Sequence, residues 1–185
     1  MYITWFDPGV STGIVTGWFG ENHHYEPREI HQVPGGQQGL IDWLAKHPIH
    51  PTVMRTASDR LEDHIIGSEK FIPRPIDGGT HTLESTYPLA QEGLLVGRGI
   101  MPPYPRGHWQ PATSQVLRRS PDNDPDKNRK LSDELLQRLG LWLTGTDVGQ
   151  LDANDVISAT KHIIWFLTRT LKHKPTLEWV YGEEK

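Results

Sequence analysis

The chain has 185 residues, 35% of them hydrophobic and 23% charged, with a formal net charge of −4. That length suits one domain with a sizeable core, and the absence of cysteine excludes disulfides and thiolate metal sites, in keeping with a reducing cytoplasm. The negative balance counts against a generally basic nucleic-acid binder, the apolar run Ile163–Leu167 is far too short to span a bilayer, and the opening MYITWFDPG lacks the features of a signal peptide.

Tyr2–Phe6 is a β-branched and aromatic run closed by Asp7-Pro8-Gly9, which predicts a strand and a tight turn. Gly13–Phe19 predicts a second strand, close enough to pair with the first as an antiparallel hairpin, and Arg28–Val33 a weaker third. Gly39–His47 places Leu40, Ile41, Trp43 and Leu44 at helical spacing, with Pro48 and Pro51 closing it. Thr52–Ile66 reads as a strand ending near Glu62. The stretch 67–82 is rich in Gly and Pro and has no period, so it is expected to be a flexible loop. A helix follows with Pro88 in its first turn and runs to Gly99, and Tyr104–Trp109 reads as a short strand. The polar segment 118–130 is expected to be a second flexible loop, and Leu131–Leu139 a short helix stopped by Gly140. A last helix opens at Asp152 and reaches about Leu171, with Val156, Ile157, Ile163, Ile164 and Leu167 at three- and four-residue steps. No repeat or linker divides the chain. The expected fold class is therefore a single α/β domain over 1–185, a mixed sheet flanked by helices on both faces.

The last helix poses a question, because it opens with two aspartates one turn apart. Taken alone, Asp152 and Asp155 read as a cap and a first-turn acid complementing the helix dipole. Asp7, however, stands at the C-terminal end of the first strand, where ligand-facing residues of α/β sheets collect, although Asp-Pro-Gly by itself is simply a good turn. Glu62 is expected at the end of a central strand. A three-residue step is nearly one helical turn, so Asp152 and Asp155 are expected to share a face. Four clustered carboxylates repel and raise one another's pKa unless a cation neutralises them. Mg²⁺ suits such oxygen donors and bridges carboxylates to phosphates. Two ions about 3.5–4 Å apart can activate a water and stabilise the leaving oxygen of a phosphodiester.

The ordered set "ITWFDPGVSTGIVTGWF", Leu61-Glu62-Asp63, "LAQEGLLVGRGI" and "LDANDVISATKHI" resembles the RuvC-like Holliday junction resolvases of the RNase H-like superfamily. The segments "HWQPATSQVL" and "LLQRLGLW" are similar to variants carried by phages of actinobacteria. The resemblance runs in order over residues 2–168. It implies an RNase H-like, RuvC-type fold and a Mg²⁺-dependent endodeoxyribonuclease, with Mn²⁺ able to substitute. Such an enzyme nicks branched DNA, commonly as a homodimer, in the host cytoplasm and away from membranes. Carried over by position, the catalytic and metal-holding acids are Asp7, Glu62, Asp152 and Asp155. Asp63 is the fallback for Glu62, and Glu84 lies just before the next helix. The family's basic helper residues match poorly. Arg118, Lys127, Arg129 and Lys130 are assigned to DNA phosphates by residue type alone, and Phe71 as an aromatic that could wedge between bases. No spacing supports metal ligation by His162, His23 or His24, which are expected at the surface or the edge of the core.

Two rivals share parts of this pattern. One is a phage nuclease of the same fold acting on flaps or replication intermediates. The other is a DNA-binding or assembly protein that keeps the fold without turnover, for which four acids would be superfluous. Sugar-kinase and actin-like ATPases also carry Asp-x-Gly followed by Thr-Gly, but they need two such domains, and 185 residues leave no room for the second.

Overall fold

The computed structural model describes residues 1–47, 49, 54–55, 61–62, 64–71, 83–104, 106–145, 149 and 152–182, with the side chains of 54–55, 61–62 and 83–85 left outside that description. Strands β1 (Tyr2–Asp7), β2 (Ser11–Gly20) and β3 (His23–Pro34) form an antiparallel meander. Helix α1 (Gly36–Lys46) follows, and then the short strands β4 (Met54–Arg55) and β5 (Leu61–Glu62), which pair with each other in a separate two-stranded sheet. β6 (His64–Glu69), α2 (Leu83–Gly97) and β7 (His108–Gln110) come next, β6 and β7 joining the main sheet in parallel with β1. The main sheet thus has five strands in the order β3-β2-β1-β6-β7. A 3₁₀ turn (Ala112–Gln115) leads to α3 (Pro125–Arg138) and α4 (Asn154–Trp165), which runs on into a π-turn (Phe166–Thr170) before α5 (Lys174–Tyr181). Among the described residues, no helix is long and apolar enough to cross a membrane.

β1 lies at the centre of the sheet, and its residues from Ile3 to Asp7 are all buried. A strand covered on both faces reads as a continuous apolar run rather than an alternation. Successive side chains still point to opposite faces. Ile3 and Trp5 pack with Val15 and with Val156, Ile163 and Ile164 of α4, while Phe6 joins Ile14, Val33 and Leu40 of α1 with Leu95 of α2. Helices therefore cover both faces. The one hydroxyl in the run is satisfied: Thr4 Oγ1 lies 2.8 Å from Thr16 Oγ1 and 2.9 Å from His64 Nε2. β3 closes the open edge of the meander, where Glu26, Pro27, Arg28 and Glu29 discourage pairing with another strand.

Several elements differ from the sequence expectation for identifiable reasons. The central strand does not end at Glu62. It starts at His64 and continues through Gly67 and Ser68 to Glu69, in parallel register with β1. Gly67 looks like loop punctuation in the sequence, but here it makes room for a ring: a Cβ at that position would come within 2.1 Å of the Trp5 indole. The loop expected at 67–82 is thus strand as far as Glu69, and 72–82 lie outside the described residues. The second expected loop, 118–130, is half helix. Asp124 accepts a hydrogen bond from Lys127 N at 3.0 Å and Pro125 opens α3, so Asp-Pro is a helix start rather than a turn. Asn128 in this stretch is buried and accepts from Ser120 N. α2 begins at Leu83, earlier than expected, with Pro88 inside it. α5 has no counterpart among the expected elements.

Candidate functional site

β1 and β6 are adjacent and parallel, so their C-terminal ends open on the same edge of the sheet. Phe6 is paired with Ser68, and the next residue on each strand is an acid, Asp7 and Glu69. α4 supplies the third acid. Its first turn lies against β2 so closely that a Cβ on Gly13 would stand 2.1 Å from the carbonyl carbon of Asp155. Only glycine permits that approach, and it sets Asp155, in the first turn, at the same edge as Asp7. The turn after β1 is held from the other face of the sheet. Gln91 of α2 accepts from Gly9 N and donates to Gly9 O, both at 2.9 Å.

Each acid has its own partners. Asp155 Oδ2 accepts from Ser11 Oγ and from Gln32 Nε2, and Gln32 Nε2 also reaches Ser11 Oγ at 2.7 Å. The other end of the Gln32 amide accepts from Val156 N at 3.2 Å, which ties the helix start to β3. Glu69 Oε2 accepts from Gln115 Nε2 at 2.7 Å and lies 2.8 Å from His162 Nε2. His162 is fully buried on α4; its Nδ1 is 2.9 Å from Gln110 Oε1, and its ring stacks on Trp5 at 5.8 Å between centroids and 11° between planes. One ligand atom from each of Asp7, Glu69 and His162 lies within 4.8 Å of the other two, a grouping able to hold a metal ion.

The electrostatics follow from burial and like charge. Burial pushes the Asp7 carboxyl well above the usual range, and the charges of Glu69 and Asp155 push it further. Asp155 is also raised, first by burial, against the hydrogen bonds of Ser11 and Gln32, with the charges of Asp152 and Glu69 adding to the rise. Glu69 goes the other way. Burial acts to raise it, but the hydrogen bond and charge of His162, with Gln115 and Asp7, outweigh that and hold it below its ordinary value.

Asp7 and Asp155 of the expected acids meet here. Asp152 acts on Asp155 as a charge but is exposed and precedes the helix, which is capped at Ala153 with no side-chain hydrogen bond. Asp152 is therefore neither the cap nor on a shared helical face with Asp155. Glu62 lies on β5, outside the main sheet, and its side chain is outside the described residues, as are Asp63 and the side chain of Glu84. The acid at the strand end beside Asp7 is Glu69. His162, expected at the surface or core edge, is in the interior against Glu69. A signal for it exists: Asp155, Ser158 and His162 recur at steps of three and four, one face of a helix whose first turn carries an expected site acid.

The residues assigned to DNA lie on α3, just before it, and just after β6. Lys127, Arg129 and Lys130 are exposed on α3 and paired with Asp122 at 2.5 Å, Asp126 at 3.4 Å and Glu134 at 3.9 Å. Arg118 is half-buried before α3. Phe71 is half-buried two residues after Glu69, its backbone N donating to Glu92 Oε1. The hydrogen bonds and charges acting on Asp7, Glu69 and Asp155 come from other groups. No family model, curated protein or solved structure matches the chain.

Proposed function

We propose that the protein is a metal-dependent endonuclease that hydrolyses phosphodiester bonds in branched DNA, with a Holliday junction as substrate, built on an RNase H-like, RuvC-type form of its mixed sheet. One observation carries this reading: Asp7 and Glu69 end two adjacent parallel strands, and Asp155 opens a helix that rests on the same edge of the sheet. Buried acids at such close quarters favour a divalent cation. The donors suit Mg²⁺ or Mn²⁺: Asp7, Glu69 and Asp155 would hold it, with Asp152 at the rim. When bound there, the ion supplies Lewis-acid polarisation of a phosphate and a water of lowered pKa.

The chain's own groups prepare that site. Gln91 fixes the turn after Asp7, Ser11 and Gln32 orient Asp155, and Gln115 and His162 orient Glu69. Trp5, fully buried under the His162 ring, keeps water from the inner side of the cluster. A chain of net charge −4 binds DNA weakly unless two copies pool their basic surfaces. The reading therefore includes a homodimer with strongly salt-dependent affinity.

The test offers a four-way junction, a flap and linear duplex with Mg²⁺, Mn²⁺ or EDTA. Symmetric nicks at the junction, abolished by EDTA and by Asp155→Asn, are expected. Cutting of flaps alone would transfer the protein to replication intermediates. Metal-independent binding without cutting would make it a binding module.

A further inference from the structure

The charge of Glu69 is already served by a neutral donor, Gln115 Nε2 at 2.7 Å. The second group on the same oxygen is a fully buried imidazole, His162, and its reach is wider than Glu69. One of its ring nitrogens belongs to the set of ligand atoms that includes an oxygen of Asp7. The far nitrogen, Nδ1, faces Gln110 Oε1 at 2.9 Å. With Gln110 Oε1 as its acceptor Nδ1 donates, and Nε2 faces the Glu69 carboxylate, also an acceptor, where a bound ion would take the place of a proton. Histidines that bind metals characteristically donate their other N–H to a carbonyl or carboxylate in this way. The ring has little freedom to leave, being stacked on Trp5 in the core. Neighbouring donors on one ion, with bonds of about 2.1 Å, stand about 3 Å apart, and His162 Nε2 and Glu69 Oε2 are 2.8 Å apart.

We infer that His162 is a nitrogen ligand, and that Asp7, Glu69 and His162 form a mixed site taking a first-row divalent ion such as Mn²⁺ in preference to Mg²⁺. Imidazole suits transition ions, whereas Mg²⁺ demands oxygen donors and gives up its waters reluctantly. The inference rests on the metal-binding part of the proposed function and replaces an all-carboxylate centre with one that contains nitrogen. It also explains why so large a ring is buried beside two acids when a neutral donor is already present.

The test is pulsed electron paramagnetic resonance of the full chain loaded with Mn²⁺, which detects ¹⁴N bound directly to the ion. A nitrogen coupling is expected, changing to that of ¹⁵N when histidine is isotopically labelled, and disappearing in His162→Gln. Competition between the ions should show Mn²⁺ binding the native chain roughly tenfold or more tightly than Mg²⁺, and His162→Gln weakening Mn²⁺ by a factor within the 10–100-fold range typical of groups supporting a metal site. Should His162→Gln fail to fold, Asp7→Asn serves instead: loss of the nitrogen-coupled ion ties the signal to this site. Mn²⁺ bound without nitrogen coupling, or coupling that persists in the variants, overturns the inference and leaves the nuclease reading intact. Nitrogen-coupled Mn²⁺ with no cleavage of any branched DNA upholds the inference and overturns the nuclease reading.

Discussion

Asp155 and Glu69 sit on opposite sides of Asp7 and are held in opposite ways. Asp155 is gripped by neutral donors, a serine hydroxyl and a glutamine amide, and its carboxyl remains raised. Glu69 shares one oxygen between a glutamine amide and a buried imidazole, and its carboxyl is lowered. Neutral hydrogen bonds orient a buried carboxylate but do not cancel the cost of its charge, and what Glu69 has beyond them is the buried ring of His162. The site is therefore asymmetric. Glu69 is held toward its charged form, and Asp7 and Asp155 are pushed away from theirs, a penalty that a cation would relieve.

Breaking the imidazole side should have the largest effect. His162→Ala takes away one of the two groups on Glu69 Oε2 and opens a hole beside Trp5, and a loss of about 3–5 kcal/mol in urea unfolding at neutral pH is expected. A loss below about 1 kcal/mol would mean that Glu69 does not depend on the ring. On the neutral side, Gln32→Ala removes bonds to Asp155, Ser11 and Val156 at once. It should cost about 1.5–3 kcal/mol in the same assay, the range for hydrogen bonds to a charged group.

Asp7→Asn should act in the other direction. The folded pKa of Asp7 is raised, so its favourable contribution is complete below the unfolded pKa and disappears as pH rises through the folded value. At neutral pH the metal-free Asn variant should therefore be the more stable by about 1 kcal/mol, a melting temperature about 2–4 °C higher. That advantage should vanish below the ordinary carboxylate range. Saturating Mn²⁺ should raise the melting temperature of the native chain and not that of the variant. An equal response in both would remove Asp7 from the ligand set. The smallest effect belongs to Ser11→Ala, about 0.5–1.5 kcal/mol, which removes one of the two donors on Asp155.

The parts of this arrangement that were legible in the sequence are those with local causes. The hairpin of β1 and β2 follows from aromatic and β-branched runs around a Gly-rich turn, and α4 from apolar spacing, so Asp7 and Asp155 could be named. Glu69 could not be named from local rules, because the reason for Gly67 is an indole from a neighbouring strand, invisible until the strands pair. The first half of α3 was concealed by Asp124-Pro125, a pair that serves equally well as turn or as helix start until Lys127 N is seen to need an acceptor, whereas its second half lies within the helix expected at Leu131–Leu139. His162 lay within reach of the same periodicity that identified the helix, but a ligand role depends on Glu69 and Gln110, which arrive from β6 and β7.

The contact between Gly13 and the carbonyl of Asp155 has a practical consequence. The mouth of α4 rests on naked main chain, so its distance from the sheet is dictated by the absence of a single methyl group. Anyone wishing to retune this protein can vary Ser11 or Gln115, whose side chains hold a carboxylate without tying the helix main chain to the sheet, and change how strongly that carboxylate is gripped. Adding one carbon at position 13 would instead lever the whole helix mouth outward, relocating an acid without touching its chemistry.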